Sequence, residues 1–417
     1  MLNFNDKMLI ENEIKGCFDY FWNETNTDIN SKGFGLVRDI TNKDIASIAA
    51  VGFALPAYMI GVEHGLVSFE EAYNRVLNTL KTVRDNVPHS HGFLAHFVNF
   101  YSTEMIKNTE YSTIDTAILL MGAITVGEYF KGEVKKLATE LTERTDWDYM
   151  INRNRNGKTQ FLMALFPNDP RFSVHWDHYA EQLMMYLLYA GKSNCNERDA
   201  RNLYYDFERN VGSYKGHNMI YCFGNALFIH QFTHAFFDFR EYIDERGCDW
   251  WANSVSATLA NRQFCIDQTW SKTFNENSWG LSATQTPKGY QVYGAPPYGF
   301  ECDYAANCDG TVTPYAALSS MPFTPEESLA ALRYFVTIPG LNGKYGLTDS
   351  YSFDDSPWVS EHYIGIDKGP TIVMLDNYLN GTTWKYFMQS EVAQKAIRVL
   401  KFQKRDYQRY NLIGKDY

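Results

Sequence analysis

The chain has 417 residues, of which 45% are apolar and 21% charged, proportions that exclude a disordered, collagen-like or coiled-coil chain. Its 49 acidic against 38 basic side chains leave a formal charge of −11, which repels phosphate backbones and argues against a nucleic-acid partner. Aromatic side chains make up 16% of the chain, with 28 Phe, 29 Tyr and 9 Trp. That is more than a core needs, and Tyr and Trp in such numbers suit carbohydrate clefts, where a flat apolar face carries a polar tip; extra core and interface aromatics are the plain alternative.

No run approaches the roughly 18 apolar residues of a membrane span, so no membrane partner is expected. The start MLNFNDKMLIENEIKGCFDYFW lacks a basic segment followed by an apolar one, which points to a cytoplasmic protein or to a secreted one whose signal has been trimmed. The cysteines, at 17, 195, 222, 248, 265, 302 and 308, are odd in number and form no CxxC pair, which argues against a disulfide framework and a zinc site. Reduced thiols are expected, with Cys302 and Cys308 close enough to bridge across a loop.

In chain order, helical periodicity predicts helices over 8–22 and 44–63. The next runs from Phe69, opened by Ser68 and Glu71 as a capping box. Further helices are predicted over 113–130, 132–144, 176–191, 196–209, 226–245, 249–268 and 314–320. Thr324, Pro325 and Glu327 open the following one, and the last two cover 367–379 and 382–401. Some are apolar nearly all round (TAILLMGAI, EQLMMYLLYAG) and others amphipathic (FEEAYNRVLNTLKTVRDN), the mixture expected of inner and outer helices. The stretches 86–111, 153–174, 270–313 and 338–366 far exceed the usual connection of about 4–6 residues and hold many of the aromatic and carboxylate groups. No linker or low-complexity tract divides the chain, so residues 1–417 are expected to form one domain. A double ring of helices topped at one end by such loops is an all-α (α/α) toroid with a central cleft.

Hydrolysis of a glycosidic bond needs one carboxyl held protonated and one carboxylate to activate water. Acids in apolar surroundings are therefore the candidates, because desolvation raises a carboxyl pKa. Glu181 lies at the start of a very apolar helix, two residues after Tyr179; the plain alternative is an acid favoured by the helix dipole. Asp367, in YIGIDKGPTIVML, alternatively caps its helix. Asp115 has capping-box spacing from Ser112, with Asp in place of the usual Glu. Histidines cluster at 89, 91 and 96 and at 230 and 234. His230 and His234 would share a helix face, but the pair is not HExxH and has no evident third ligand, so sugar hydrogen bonding or core satisfaction is favoured over metal. Glu276, Trp279, Gln285 and Tyr290 form a candidate stacking ring with polar groups around it, and Trp358 is a further stacking candidate. No cofactor is called for.

With these segments in view, the chain resembles the glycoamylase-like domain family, which includes the endo-β-1,2-glucanases of glycoside hydrolase family 144 and a region of cyclic β-1,2-glucan synthases. GFGLVRDI, STIDTAILLMGA, YAEQLMMYLLYAG, LFIHQFTHAFFDFR, ATLANRQFCID, ENSWGL, DGTVTPYAALSSMPFTPEESLAALRYF, YGLTDSY and IGIDKGPTIVMLDNYLNGTTW carry the resemblance. It implies an (α/α)6 toroid and an inverting hydrolase, with the acid's motif matched by YAE at Glu181 and the base's by IDKGP at Asp367. Asp115 would then orient the sugar, and Tyr179, His230, His234, Trp279, Tyr290 and Trp358 would make stacking and hydroxyl contacts to an oligo- or polysaccharide. The resemblance has departures: the characterised glucanases carry a second acid where this chain has Ser112 and favour Asp where it has Gln285. The expected activity is hydrolysis of β-glucan or its oligosaccharides, with a β-1,2 linkage foremost. A glycan-binding toroid without catalysis, or a sugar epimerase using His230 and His234 as acid and base, are the rivals.

Overall fold

The computed structural model describes residues 2–167, 174–297 and 308–405. They form fourteen α-helices in chain order: α1 (Phe4–Asn23), α2 (Ile48–Glu63), α3 (Phe69–Asp85), α4 (Thr113–Phe130), α5 (Gly132–Arg144), α6 (Leu183–Gly191) and α7 (Glu197–Asp206) come first. Then follow α8 (Phe232–Phe236), α9 (Trp250–Asp267), α10 (Pro314–Leu318), α11 (Pro325–Phe335), α12 (Gly365–Leu379), α13 (Thr382–Gln389) and α14 (Glu391–Val399). Every sheet among the described residues is a two-stranded antiparallel ribbon, so the fold is helical.

Helices α2, α4, α6 and α12 are buried on almost every face, whereas α3, α5, α7 and α14 bury one side only. The first group has no polar stripe to offer water and must be surrounded by other helices. Accordingly α2 packs between α4 and α12, with α1 and α3 outside it, α5 outside α4, and α14 outside α6. The α2–α4 contact is close because Gly52 faces Gly122: a methyl group on Gly122 would stand 2.1 Å from the Gly52 carbonyl oxygen, so any larger residue would force the helices apart. Apolar side chains from Ile10 to Phe402 belong to one connected cluster.

Local chemistry explains most helix starts. Ser68 and Glu71 form the expected capping box on α3, and Asn3, Ser47 and Ser112 cap α1, α2 and α4 with their side-chain oxygens. Thr324 precedes Pro325 at the first position of α11 but makes no side-chain cap.

Several predicted boundaries move. Helix α2 begins at Ile48 because Ile45–Ser47 pairs as a strand with Phe97–Asn99. The segment predicted as helix over 226–245 is broken into two 3₁₀ turns flanking the short α8. The segment 382–401 divides at Ser390, whose hydroxyl accepts from the Ala393 N–H and starts α14. The long stretches read as irregular contain hairpins, among them Ala283–Thr286 with Gly289–Val292 and Tyr351–Ser352 with Trp358–Val359.

One helix does reach membrane-spanning length and apolarity: α4 has 18 residues and a mean hydropathy of 1.2, and 89% of it is buried inside the protein. Its apolarity follows from protein contact on every face. The candidate Cys302–Cys308 bridge involves Cys302, which lies outside the described residues.

Candidate active site

The N-terminal ends of α2, α4, α10 and α12, together with the turn before α6, meet around a cavity of about 570 Å³. Its polar wall is Asp39, Ser47, His96, Asp115, Glu181, Gln285, Tyr290, Tyr315 and Asp367, and its apolar wall includes Phe97, Ile118, Phe228 and Phe232. Helix N-termini favour negative groups, which suits a cavity rich in carboxyls. The structure thus brings Glu181, Asp367, Asp115, Gln285 and Tyr290 together.

Glu181 is not in the first turn of its helix. Gln182, fully buried, donates from Nε2 to the His178 carbonyl at 2.7 Å and accepts the Ala180 N–H at 2.7 Å. This clamp holds 178–182 as a turn and delays α6 to Leu183, leaving the Glu181 side chain on the cavity wall. Burial, together with the Asp115 charge, raises its carboxyl from 4.5 to about 7.

Asp115 sits in the first turn of α4, where its N–H donates to Ser112 Oγ at 3.2 Å and its Oδ2 accepts the same hydroxyl. Its Oδ1 lies 3.4 Å from His96 Nε2, and His96 Nδ1 is 2.7 Å from Glu110 Oε1. Burial alone would lower the His96 pKa, but the carboxylates of Asp115, Glu110 and Asp39 outweigh it and push it up to about 9. His96 is therefore a fixed cation, stacked on Phe97 at 3.8 Å. Burial also raises the Asp39 carboxyl, against the hydrogen bond from Ser47.

Asp367, 4% exposed in the first turn of α12, is raised well above the ordinary range by burial and by the adjacent Asp349 carboxyl, with Tyr315 donating to it in opposition. The Ala283–Val292 hairpin pairs Gln285 directly with Tyr290, so both side chains leave the same face. Tyr290 is 53% exposed, a flat ring at the cavity wall. The Gln285 side chain donates to the Thr286 carbonyl at 3.2 Å.

The other expected contacts are corrected by their placement. Tyr179 is fully buried and stacks on Trp250 at 4.9 Å. His230 is buried between Asn225 Oδ1, 2.9 Å from Nε2, and the Tyr179 hydroxyl, 3.3 Å from Nδ1. His234 Nε2 is 3.1 Å from the Trp250 carbonyl. Burial lowers both imidazoles to about 3, so they are neutral core groups out of reach of a ligand, and the epimerase reading loses its acid and base. Trp279 is fully buried; Glu276 is exposed, and Trp358 is half-buried in a ribbon, both away from the cavity wall. Tyr179, His230 and His234 serve the core, where their polar tips find protein partners, while the Trp279 indole N–H is buried without one.

Sequence reasoning missed Asp39, Asp349 and Tyr315 as functional groups, and His96 was noted only as part of a cluster. Each lies in a loop or short helix whose local pattern carries no burial signal. Asp39, Asp349 and Tyr315 do fall within GFGLVRDI, YGLTDSY and DGTVTPYAAL, and that was the available clue. Among the described residues no group of three or more His, Cys, Asp or Glu is placed to share a metal ion.

Residues 173–391 match the Glycoamylase family, described as putative glucoamylase, and the chain belongs to it. Over 95% of its length the chain is 24% identical to an exo-β-1,2-glucooligosaccharide sophorohydrolase of Parabacteroides distasonis, of which it spans 58%. The fold is shared with a putative glucoamylase from Bacteroides uniformis at a TM-score of 0.86, with 28% identity over 96% of this chain and 98% of that one. It is shared also with an endo-β-1,2-glucanase from Chitinophaga pinensis, solved with sophorotriose and glucose, at a TM-score of 0.83 and 25% identity over 96% and 99% of the two chains.

Proposed function

We propose that the chain is a single (α/α)6 toroidal domain that hydrolyses β-1,2-linked glucan or its oligosaccharides with inversion. The observation that carries this reading is the convergence of Glu181, raised to about 7, and the buried Asp367 on one cavity. A carboxyl near neutrality is suited to give up a proton in the transition state. The connected core and the division into inner and outer helices support the toroid, and two relatives bear the names of β-1,2-glucan hydrolases.

In this reaction Glu181 donates its proton to the glycosidic oxygen as the bond from that oxygen to the anomeric carbon breaks. Water attacks from the opposite face and loses its proton toward Asp367; inverting pairs typically stand about 6.5–9.5 Å apart to leave room for that water. Asp115 and the His96 cation hold sugar hydroxyls, Tyr290 stacks on a ring, and Gln285 contacts the sugar from the same face. The substrate is a neutral saccharide, recognised by stacking and hydroxyl contacts rather than by charge.

The test is incubation with β-1,2-, β-1,3-, β-1,4- and α-linked gluco-oligosaccharides, with products and their anomeric configuration followed by NMR. Inverted products from the β-1,2 series, lost in Glu181→Gln and Asp367→Asn, are expected. Binding with no cleavage of any of them would replace the hydrolase with a glycan-binding protein.

A further inference from the structure

Behind Asp367 lies a second carboxyl that the sequence reading did not use. Asp349 and Asp367 are 5% and 4% exposed and adjoin at one small cavity that both line, each carboxyl acting on the other. Asp349 Oδ1 and Asp367 Oδ2 are both buried without a hydrogen-bond partner. Ionised carboxylates are acceptors only, so two of them here would leave both buried oxygens unmet, whereas one proton shared by the two groups as a unit satisfies both.

The surroundings decide where the charge sits. Asp349 Oδ2 accepts from Thr284 Oγ1 at 2.5 Å and from the Gln285 N–H at 2.7 Å, and the Lys368 ammonium also favours its ionised form. Lys368 is itself paired with Glu13 at 2.9 Å. Asp367 has the Tyr315 hydroxyl as donor and faces the charge of Asp39. Tyr290 from the hairpin and Tyr20 from α1 also face Asp367. Two donors and a cation on one side, against one donor and a like charge on the other, leave the negative charge on Asp349 and the proton on Asp367.

A protonated Asp367 cannot by itself take a proton from water. We propose that the base is the pair, with Asp349 as the positioning residue that makes Asp367 competent. This rests on the reading of Asp367 as base. As the water oxygen bonds to the anomeric carbon, its proton passes to Asp367 Oδ1, and the proton on Asp367 Oδ2 passes to Asp349 Oδ1. The glycosidic bond breaks, and the leaving oxygen takes the Glu181 proton. The pair ends with two protons and Glu181 with none; one proton then returns through solvent, restoring the starting state.

The full chain tests this by infrared spectroscopy and kinetics together. At about pH 9, above the ordinary range of every carboxyl and above the value of about 7 for Glu181, the wild type should keep a protonated-carboxyl stretching band. That band should vanish in Asp349→Asn and in Asp367→Asn. With a β-1,2-gluco-oligosaccharide as probe, Asp349→Asn should lower kcat by about 100-fold or more with KM within about threefold, the size of a lost proton-transfer contribution. Thr284→Val, which removes one donor from Asp349 and preserves shape, should move the acidic limb of kcat/KM to higher pH. Absence of the band in the wild type, its survival in Asp349→Asn, or an unmoved acidic limb in Thr284→Val overturns the inference alone. Retained hydrolysis in Asp367→Asn overturns the base reading and this inference with it.

Discussion

Two buried polar regions lie side by side in this protein and behave oppositely. Around His230 and His234, the imidazoles meet partners within the chain: Asn225 and Tyr179 for His230, Ser254 and the Trp250 carbonyl for His234, and both stay neutral. At the cavity, Asp39, Asp115, Glu181 and Asp367 share one enclosed space with a single histidine cation among its lining residues. In the first region both imidazoles are satisfied within the chain. The second keeps like charges together and raises three of those carboxyls, an arrangement that costs stability and has value only if a ligand or a reaction uses it.

The sharpest way to break this contrast is Glu181→Gln. On the cavity side it should cost about 1,000-fold in kcat, within the range for loss of a general acid, without lowering Tm, because it removes a destabilised buried charge. A thermal melt beside a product assay checks both halves. On the core side, His230→Ala should lower stability by about 2–4 kcal/mol, since it opens a cavity and strands Asn225 and Tyr179. Urea unfolding measures this, and KM should stay unchanged. A His230→Ala protein that is stable but does not bind substrate would erase the distinction between the two regions.

The same contrast explains what was legible in the sequence. Capping chemistry is local, so Ser68 with Glu71 and Ser112 with Asp115 could be read directly, and their helices begin where expected. Glu181 and Asp367 were legible because each adjoins an apolar helix, a pattern within one segment. The turn that presents Glu181 was not, because it depends on the Gln182 clamp, which reads like any other polar residue. Asp39, Asp349 and Tyr315 become functional only when α1, α10, α12 and the hairpin converge, and no spacing along the chain encodes that. His230 and His234 misled for the complementary reason: their spacing suggested a shared face, but the segment breaks into short turns and buries both.

A smaller effect sharpens the cavity side. Tyr290 is the most exposed aromatic ring on the cavity wall and pairs across the hairpin with Gln285. Tyr290→Ala should remove a stacking contact of about 0.5–1.5 kcal/mol, raising KM by roughly 2- to 12-fold with kcat and Tm little changed. A loss in kcat instead would mean that the ring touches the reacting sugar in the transition state.

A further effect is on stability against pH, and its pH window separates two groups in the same cavity. Glu181 holds its proton more tightly when folded, with a pKa raised from 4.5 to about 7. The unfolded chain therefore binds fewer protons between these values, and stability falls as pH rises through that window. His96 is raised from 6.5 to about 9, so its contribution is fully present below 6.5 and is lost as pH rises through about 9. Denaturant unfolding across pH 4 to 10 should show two successive declines. Glu181→Gln should flatten the lower one and His96→Gln the upper one, each leaving the other in place. If His96→Gln flattened both, the cation would be controlling Glu181 as well as the carboxylates that hold it, and the cavity would titrate as one network.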